Sequence, residues 1–577
     1  MTALVTGNLP LVSSAPNGIS KLRELILALA VGGKLVAQDP SEECAQALLE
    51  ETKLSRSSLS KRPKSLAISD ADIELPAGWA RSPLANLALK LTDGSHNPPP
   101  DAGVGFPMLS SQNVRDGLVD FSSPSRFIAP EGFEKEDART RATPGDVLLT
   151  IVASIGRSAV VPRGAPPFAL QRSVAVIQTL LVPEYLCLFL RSPGAVAYYW
   201  RHAAGTAQKG IYLGKLGELS VAVPPLAEQH RIVAKVDELM ALCDRLEAEQ
   251  ADAEAAHAKL VEALLASLTQ ARDAADFRAS WQQLAEHFHT LFTTEASVDA
   301  LKQAVMQVGV MGRLTRQLAD EEPAIALLDR ATHARQLEAK PSRSSRSALP
   351  SEISDAEKLF ALPSGWAWTR KSNVLRFLNG YAFKSEWFKP QGTRLLRNVN
   401  IGHGSLDWKE CAAISPDQAA VFGEFELRAE DLVLTLDRPI ISTGLKVAIV
   451  KDDDLPCLLL QRVAKICAFA DCIATDYLFI WLNSPFFING IDPGRSNGVP
   501  HISTAQIAKM VFALPPLAEQ HRIVAKVNEL LALCDQLRRG LTTARQSHER
   551  LATVLVENAV NPGHYKNDDS SCCAVSA

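Results

Sequence analysis

The sequence lacks any run of about 18 uncharged apolar residues, so no transmembrane helix is expected. Its richest early run, LILALAVGGKLV from Leu25, is short and follows Arg23 and Glu24. The opening residues, MTALVTGNLP, carry no basic head, so no signal peptide is expected. No C-x-x-C pair occurs among the ten cysteines, and Cys572 and Cys573 sit together in a polar tail. That excludes a disulfide framework and a zinc site of ordinary spacing, and fits a reducing, cytoplasmic chain. The twelve histidines form no H-x-x-x-H or H-E-x-x-H cluster. GGKL at 32–35 lacks the Ser/Thr and upstream Gly of a phosphate loop, so no ATP site is expected. Charge of one sign is also missing: the net charge is -4, which excludes a uniformly basic coat for nucleic acid but not local basic faces.

What the sequence does have is a repeat. PPLAEQHRIVAKVDELMALCDRL at 224–246 returns as PPLAEQHRIVAKVNELLALCDQL at 515–537, with three of 23 positions changed: Asp237/Asn528, Met240/Leu531 and Arg245/Gln536. Weaker echoes keep the same order in both halves. LPAGWA from Leu75 matches LPSGWA from Leu362, and GDVLLT from Gly145 resembles EDLVLT from Glu430. LQR ends at Arg172 and Arg462, YLCLFLRSP from Tyr185 resembles YLFIWLNSP from Tyr477, and LRELILALAVGGKLV at 22–36 resembles LKQAVMQVGVMGRLT at 301–315. The offsets drift from 279 to 292, as insertions in loops produce. A chain of 577 residues is too long for one core. The expected organisation is two long tandem half-units, not a short-period solenoid.

Each half-unit has a helical segment, a Ser- and Arg-rich linker, a block rich in strand-length Val/Ile/Leu runs, and then the repeated motif. The middle blocks read as mixed α/β globules. They differ strongly between the halves, whereas the motif hardly differs, so the halves share a scaffold but not a surface. The motif reads as a helix start. Pro225 suits the first helical position and Glu228 favours the dipole. Apolar residues recur at Ile232, Val233, Val236, Leu239, Met240, Cys243 and Leu246, extended weakly through Leu260, Leu264 and Leu268. The second copy runs Ile523, Val527, Leu530, Cys534, Leu537, Leu541, then Leu551 and Leu555. A helix over 225–270 would be roughly 70 Å long. Two matching stripes predict an antiparallel coiled coil within the chain, with Glu228, Gln229, Ile232, Val236, Leu239, Glu519, Gln520, Ile523, Val527 and Leu530 at helix or subunit contacts.

A duplicated PLAEQHRIVAKV helix closing a variable α/β block, preceded by LRELILALAVGGKLV and LPAGWA, resembles the specificity subunit of type I restriction-modification systems. The resemblance covers about residues 17–560. It implies a mixed α+β fold of two target recognition domains joined by long helices, with a pseudo-two-fold internal repeat. The expected parts are an N-terminal helical region (1–55), a linker (56–69), the first reader (70–222), a central helical region (223–338), a linker (339–354), the second reader (355–513), a C-terminal helix (514–560) and a disordered tail (561–577). The family implies that each reader takes one half of a bipartite, asymmetric site on double-stranded DNA. The helices would set the spacer and dock two methyltransferase subunits, and restriction/translocase subunits would join them. The chain itself would be non-catalytic and hold no cofactor or metal, with S-adenosylmethionine, ATP and Mg on the partner subunits. No membrane role is implied. The alternative readings are a coiled-coil scaffold, a methyltransferase-associated DNA-binding protein without restriction, and a self-sufficient methyltransferase. Against the last, Asn97-Pro98-Pro99 is followed by Pro100, not by the aromatic that stacks on a flipped base.

Direct readout favours Arg on guanine and Asn or Gln on adenine. In the first reader the polar loops offer Ser95, His96, Gln112, Asn113, Arg115, Gln171, Arg172, Gln208 and Lys209. In the second they offer Tyr381, Lys384, Arg397, Asn398, Asn400, Gln461, Arg462, Arg495 and Asn497. Gln171-Arg172 and Gln461-Arg462 stand in both halves, which points to a phosphate or a fold-internal contact over base discrimination. Residues 75–222 hold 14 Lys/Arg against 11 Asp/Glu, and 362–513 hold 16 against 15. The readers are therefore weakly positive and the remainder of the chain is acidic. Partner subunits are expected to supply much of the phosphate binding.

Overall fold

The computed structural model describes residues 9–59, 66, 75–205, 208–271, 274–338, 352–441, 444–491 and 501–560. The chain forms two compact units: Met1–Ala253 with Ala544–Ala577, and Glu254–Thr543. Both mix helix and sheet, and they repeat one topology.

In the first unit, helices Gly18–Val31 and Ala45–Ser57 precede the globule. The strand entering the globule, Ala80–Pro83, pairs antiparallel with the strand leaving it, Ser220–Val223, with Ala80 opposite Val223. A four-stranded antiparallel sheet follows in the order Ala88–Asp93, Val174–Thr179, Val147–Thr150, Ser158–Val160. A smaller sheet sets Phe106–Leu109 between Arg126–Ile128, antiparallel, and Ala169–Leu170, parallel. Every residue of Val147–Thr150 is buried, because helices cover one sheet face and a second apolar cluster around Leu109, Leu148 and Val176 fills the other.

The second unit repeats this strand for strand. Ala367–Arg370 pairs with Val511–Leu514 at the neck. The main sheet runs Leu375–Asn379, Val463–Ala468, Leu432–Thr435, Val447–Ile449. The small sheet sets Thr393–Leu396 between Ala412–Ile414 and Cys457–Leu459, again one antiparallel and one parallel partner.

The repeated motif opens two long helices, Leu226–Gln270 and Leu517–Val560. In the first unit Ile232, Val236, Leu239 and Cys243 share a core with Ala552 and the half-buried Leu555 and Val556. In the second, Val261, Leu265 and Leu268 share one with Ile523, Val527 and Cys534. Towards the far ends Leu268 is buried and Leu264 and Leu555 are half-buried as expected, but one expected position in each stripe is displaced by a residue. Leu260 is 53% exposed and Leu551 47%, while their neighbours Val261 and Ala552 are buried. The apolar period there is diluted by alanine, which marks no face clearly.

Linker and tail boundaries also differ in detail. The helix runs through Ser57, and Arg56, expected to open the linker, is buried and donates to the carbonyls of Ala85 and Ala88. Most of the first linker, the core of the second (339–351) and the tail from 561 lie outside the described residues.

Candidate nucleic-acid interface

The repeated helix start explains why two short motifs, Gly-Trp and Ala-Glu-Gln, occur together in each half. Glu228 is buried and accepts hydrogen bonds from the Trp79 indole N–H (3.0 Å) and from Gln38 Nε2 (3.2 Å). Gln229 accepts from the Val182 amide (2.9 Å) and donates to the Pro224 carbonyl (3.0 Å). In the second unit Glu519 accepts from the Trp366 indole (2.8 Å) and Gln317 Nε2 (2.8 Å), and Gln520 bonds the Ala474 amide and the carbonyls of Cys472 and Pro515. Arg231 pairs with Glu42, and Arg522 with Glu321. Burial raises the Glu228 carboxyl above its ordinary range, and the Gln38 and Trp79 bonds oppose that shift. Ile232, Val236, Ile523 and Val527 are fully buried, Leu239 nearly so and Leu530 half-buried. These ten positions therefore join the helix to its own globule and helical segment.

Among the described residues, Ser95, Gln171, Arg172 and Lys209 in the first unit and Tyr381, Gln461 and Arg462 in the second lie on one rim of each globule, where loops between the strands are laced by backbone bonds. In the first unit Ser95 bridges Gln171, Gln171 N donates to Leu109 O, Ile151 N to Ser173 O, and Ala153 N to Lys209 O. In the second, Tyr381 bridges Leu460, Leu436 N donates to Arg462 O, and Ile502 N donates to Leu436 O. Both rims turn on a glycine. A Cβ on Gly94 would strike the Leu170 carbonyl, and one on Gly380 would strike that of Leu460. The next residue, Ser95 in one half and Tyr381 in the other, is thus held at an equivalent place with different chemistry.

Not every candidate side chain is available on these rims. His96, Gln112, Arg115, Arg172, Gln208 and Lys209 are exposed, and Ser95 and Gln171 are half-buried. Gln171 donates to Ser125 Oγ (2.9 Å), and His96 leans on Asp93 (3.0 Å), which also holds Arg139. Asn113 is buried. Its amide oxygen takes Ser110 N (3.0 Å), and its NH2 serves the carbonyls of Ser123 (2.7 Å) and Asp120 (3.3 Å). Asn400 does the same with Arg397 N, Asp407 O and Glu410 O. Both are loop-closing residues with no edge left for a base. Arg397 donates to the Glu410 carbonyl, and Asn398 is half-buried with its carbonyl taken by Lys446. Gln461 and Arg462 are exposed, Arg462 at a left-handed φ of 72°. Tyr381 packs edge-on against Phe383 and tilted against Phe422 and Phe425 (5.1, 4.7 and 5.4 Å between ring centroids), and Lys384 lies over Trp387 (5.6 Å). Arg495 and Asn497 lie outside the described residues. Sequence reading passed over Arg157, exposed on the first rim, and Arg438, Ile440 and Ile441, exposed on the second. A signal for the second group was present: the segment between equivalent strands is longer in the second half.

Two separately closed globules, each with a laced and distinct polar rim, on a duplicated helical frame, define a two-module binding protein. A model of the type I restriction modification DNA specificity domain matches residues 103–255. The chain is 39% identical over 565 residues to the type I restriction enzyme EcoAI specificity subunit of Escherichia coli, covering 94% of each chain. It is 29% identical over 576 residues to the EcoEI specificity subunit of the same organism, again covering 94% of each. Among solved structures, the HsdS subunit from Thermoanaerobacter tengcongensis aligns over 85% of this chain and 99% of its own, at 17% identity and a TM-score of 0.41. The chain belongs to the specificity subunits of type I restriction enzymes.

Proposed function

We propose that this chain reads a bipartite, asymmetric site on double-stranded DNA for a type I restriction-modification complex and carries out none of its chemistry. The globule over 70–222 takes one half-site and that over 355–513 the other. The long helices pack as an antiparallel coiled coil, set the spacer and dock two methyltransferase subunits, with restriction/translocase subunits completing the assembly. S-adenosylmethionine, ATP and Mg2+ act on those partners, in the cytoplasm.

One observation carries the reading. The two copies of the repeated helix agree at exposed positions as well as buried ones: Ala227/Ala518, His230/His521, Ala234/Ala525 and Glu238/Glu529 are identical and exposed. Burial accounts for identity at Glu228, Gln229, Ile232 and Val236, but solvent imposes no such identity. A surface used twice by the same kind of partner does. The rims, by contrast, share Gln-Arg at 171–172 and 461–462 but differ at other equivalent places, such as Ser95 and Tyr381, as readers of unlike half-sites must.

The test is base-modification sequencing of DNA from cells carrying this chain with its methyltransferase subunit, against cells carrying the methyltransferase alone. The expected result is a two-part motif with N6-methyladenine in both parts, seen only with this chain. A soluble complex that yields no such motif refutes the reading.

A further inference from the structure

Ala153 and Arg438 occupy one place in the two globules. Each is the third residue beyond its strand of the main sheet, Val147–Thr150 in the first unit and Leu432–Thr435 in the second. The loops as a whole differ in length, 151–157 against 436–446, but the residues before this place are held alike. Ile151 N donates to Ser173 O (2.9 Å), Val152 bridges Gly210, and Ile211 N donates to Ile151 O (2.9 Å). In the second unit Leu436 N donates to Arg462 O (2.8 Å), Asp437 bridges His501, and Ile502 N donates to Leu436 O (3.1 Å). The place therefore lies on the rim in both units, beside Lys209 in one and Arg462 in the other.

Both residues have a left-handed backbone, at φ 64° for Ala153 and 48° for Arg438. Glycine takes that conformation freely, whereas a residue with a Cβ is strained in it. Neither half carries glycine here, and both residues are exposed, so core packing does not call for the Cβ. Strain kept twice at one exposed place, with unlike side chains, marks a position whose side chain has a use. The Arg438 side chain is available for one. Among the described residues its guanidinium has no ion-pair partner, and the adjacent carboxylate, Asp437, is held by His501 (2.8 Å).

The rim then divides into shared and unshared parts. Gln-Arg stands at 171–172 and at 461–462, as contacts to a uniform phosphate backbone would. Arginine at 438 against alanine at 153 is a difference at one clamped place, and between two half-sites only the bases differ. We infer that Arg438 is a specificity-determining residue that reads a guanine in the half-site of the second globule, and that Ala153 leaves the other half-site without that requirement. The inference rests on the reading of the second globule as a DNA reader. In the major groove guanine presents two acceptors, O6 and N7, and the planar fork of arginine donates to both.

The test uses the complex of this chain with its methyltransferase subunits and duplexes carrying its site. Each guanine of the second half-site is replaced in turn by 7-deazaguanine, which removes the N7 acceptor and keeps base pairing. One of these exchanges is expected to weaken binding by the natural chain roughly 10-fold, the effect of losing one hydrogen bond from a charged donor. Arg438→Gly is expected to bind all of those duplexes and the unmodified site with one, lower affinity, its first-half discrimination unchanged. Its thermal midpoint should equal or exceed that of the natural chain, because glycine relieves the left-handed strain. A lowered midpoint would show an arginine that serves the fold, and would overturn the inference. So would natural-chain tolerance of every 7-deazaguanine, a penalty that survives in the variant, or a second half-site with no guanine on either strand. A natural complex with no sequence-specific footprint on any duplex would instead overturn the DNA-reading function itself, and the inference with it.

Discussion

Asn113 and Asn400 show how burial decides the use of a side chain. Both are amides in polar loops, the residue type that pairs with adenine, yet each spends its oxygen and its NH2 on its own backbone. Neighbouring Gln112 has the same chemistry and stays in solvent. Lys371 is the sharper case. It is fully buried, donates to the Val511 carbonyl (3.1 Å) and lies 5.2 Å from the Phe487 ring and 5.8 Å from that of Trp481. Burial alone lowers its ammonium from 10.5 to about 7. At the equivalent place the first unit holds Leu84, also fully buried. Lys371→Leu is therefore expected to stabilise the second unit at pH 7, by on the order of 2 kcal/mol. The unfolded chain holds the proton more tightly, so this group's penalty is full below pH 7, shrinks as pH rises from 7 towards 10.5, and is gone above. Urea midpoints of the two chains should converge across that window. Parallel curves would show that Lys371 is not the titrating group.

Among the elements, the long helices were the most legible, because a period of three and four over several turns leaves few alternatives. The neighbours of Glu228 and Glu519 were not. Glu228 read as a first-turn residue favourable to the helix dipole and Glu519 as a helix or subunit contact, and only the fold brings Trp79 and Trp366, some 150 residues upstream, to their carboxylates (149 and 153 positions apart). The duplicated Gly-Trp and Leu-Ala-Glu-Gln signals could have been joined beforehand, since each occurs once per half in the same order. Trp79→Phe keeps the ring and removes the donor. It should cost about 1–2 kcal/mol in the first unit, because the acceptor it leaves is buried, and Trp366→Phe should cost a similar amount in the second. Thermal unfolding of each variant measures this. A loss below about 0.5 kcal/mol for both would mean the indole bonds are not what seats the helix start. The strand expectation held for DVLLT, where Val147–Thr150 is buried on both faces, and for LKVAIV in its Val447–Ile449 part, where Val447 and Ala448 are buried and Ile449 is half-buried. Sheet order and the parallel pairing inside each small sheet had no sequence signal, because both depend on contacts distant along the chain.

For the whole molecule, the neck geometry gives the half-units a physical reason to be exchangeable. Ala80 lies opposite Val223 and Ala367 opposite Leu514, so each globule begins and ends at one point of the frame. Replacing residues 75–222 by another reader should alter one half of the recognised site only, as read by base-modification sequencing. A change in both halves would refute independence of the modules. Four residues inserted after Gln250 lengthen a helix by about 6 Å, close to two base-pair steps of about 3.4 Å. The expected outcome is a longer spacer between unchanged half-sites, and an unaltered spacer would end the view of the helices as a ruler.

By itself the sequence determined the duplication, the mixed helix-and-strand build, the long helices and the family, because each is written in local periodicity or in near-identical text. The tertiary structure alone decided which polar residues are spent inside the fold, which loops share a rim, and that Ile440 and Ile441 pair with Leu445 and Gly444 between two main-sheet strands where the first unit has a shorter loop. Those outcomes turn on burial and on bonds between residues distant in the chain. A polar side chain has the same letter whether its partner is its own backbone or the solvent from which a base could be read.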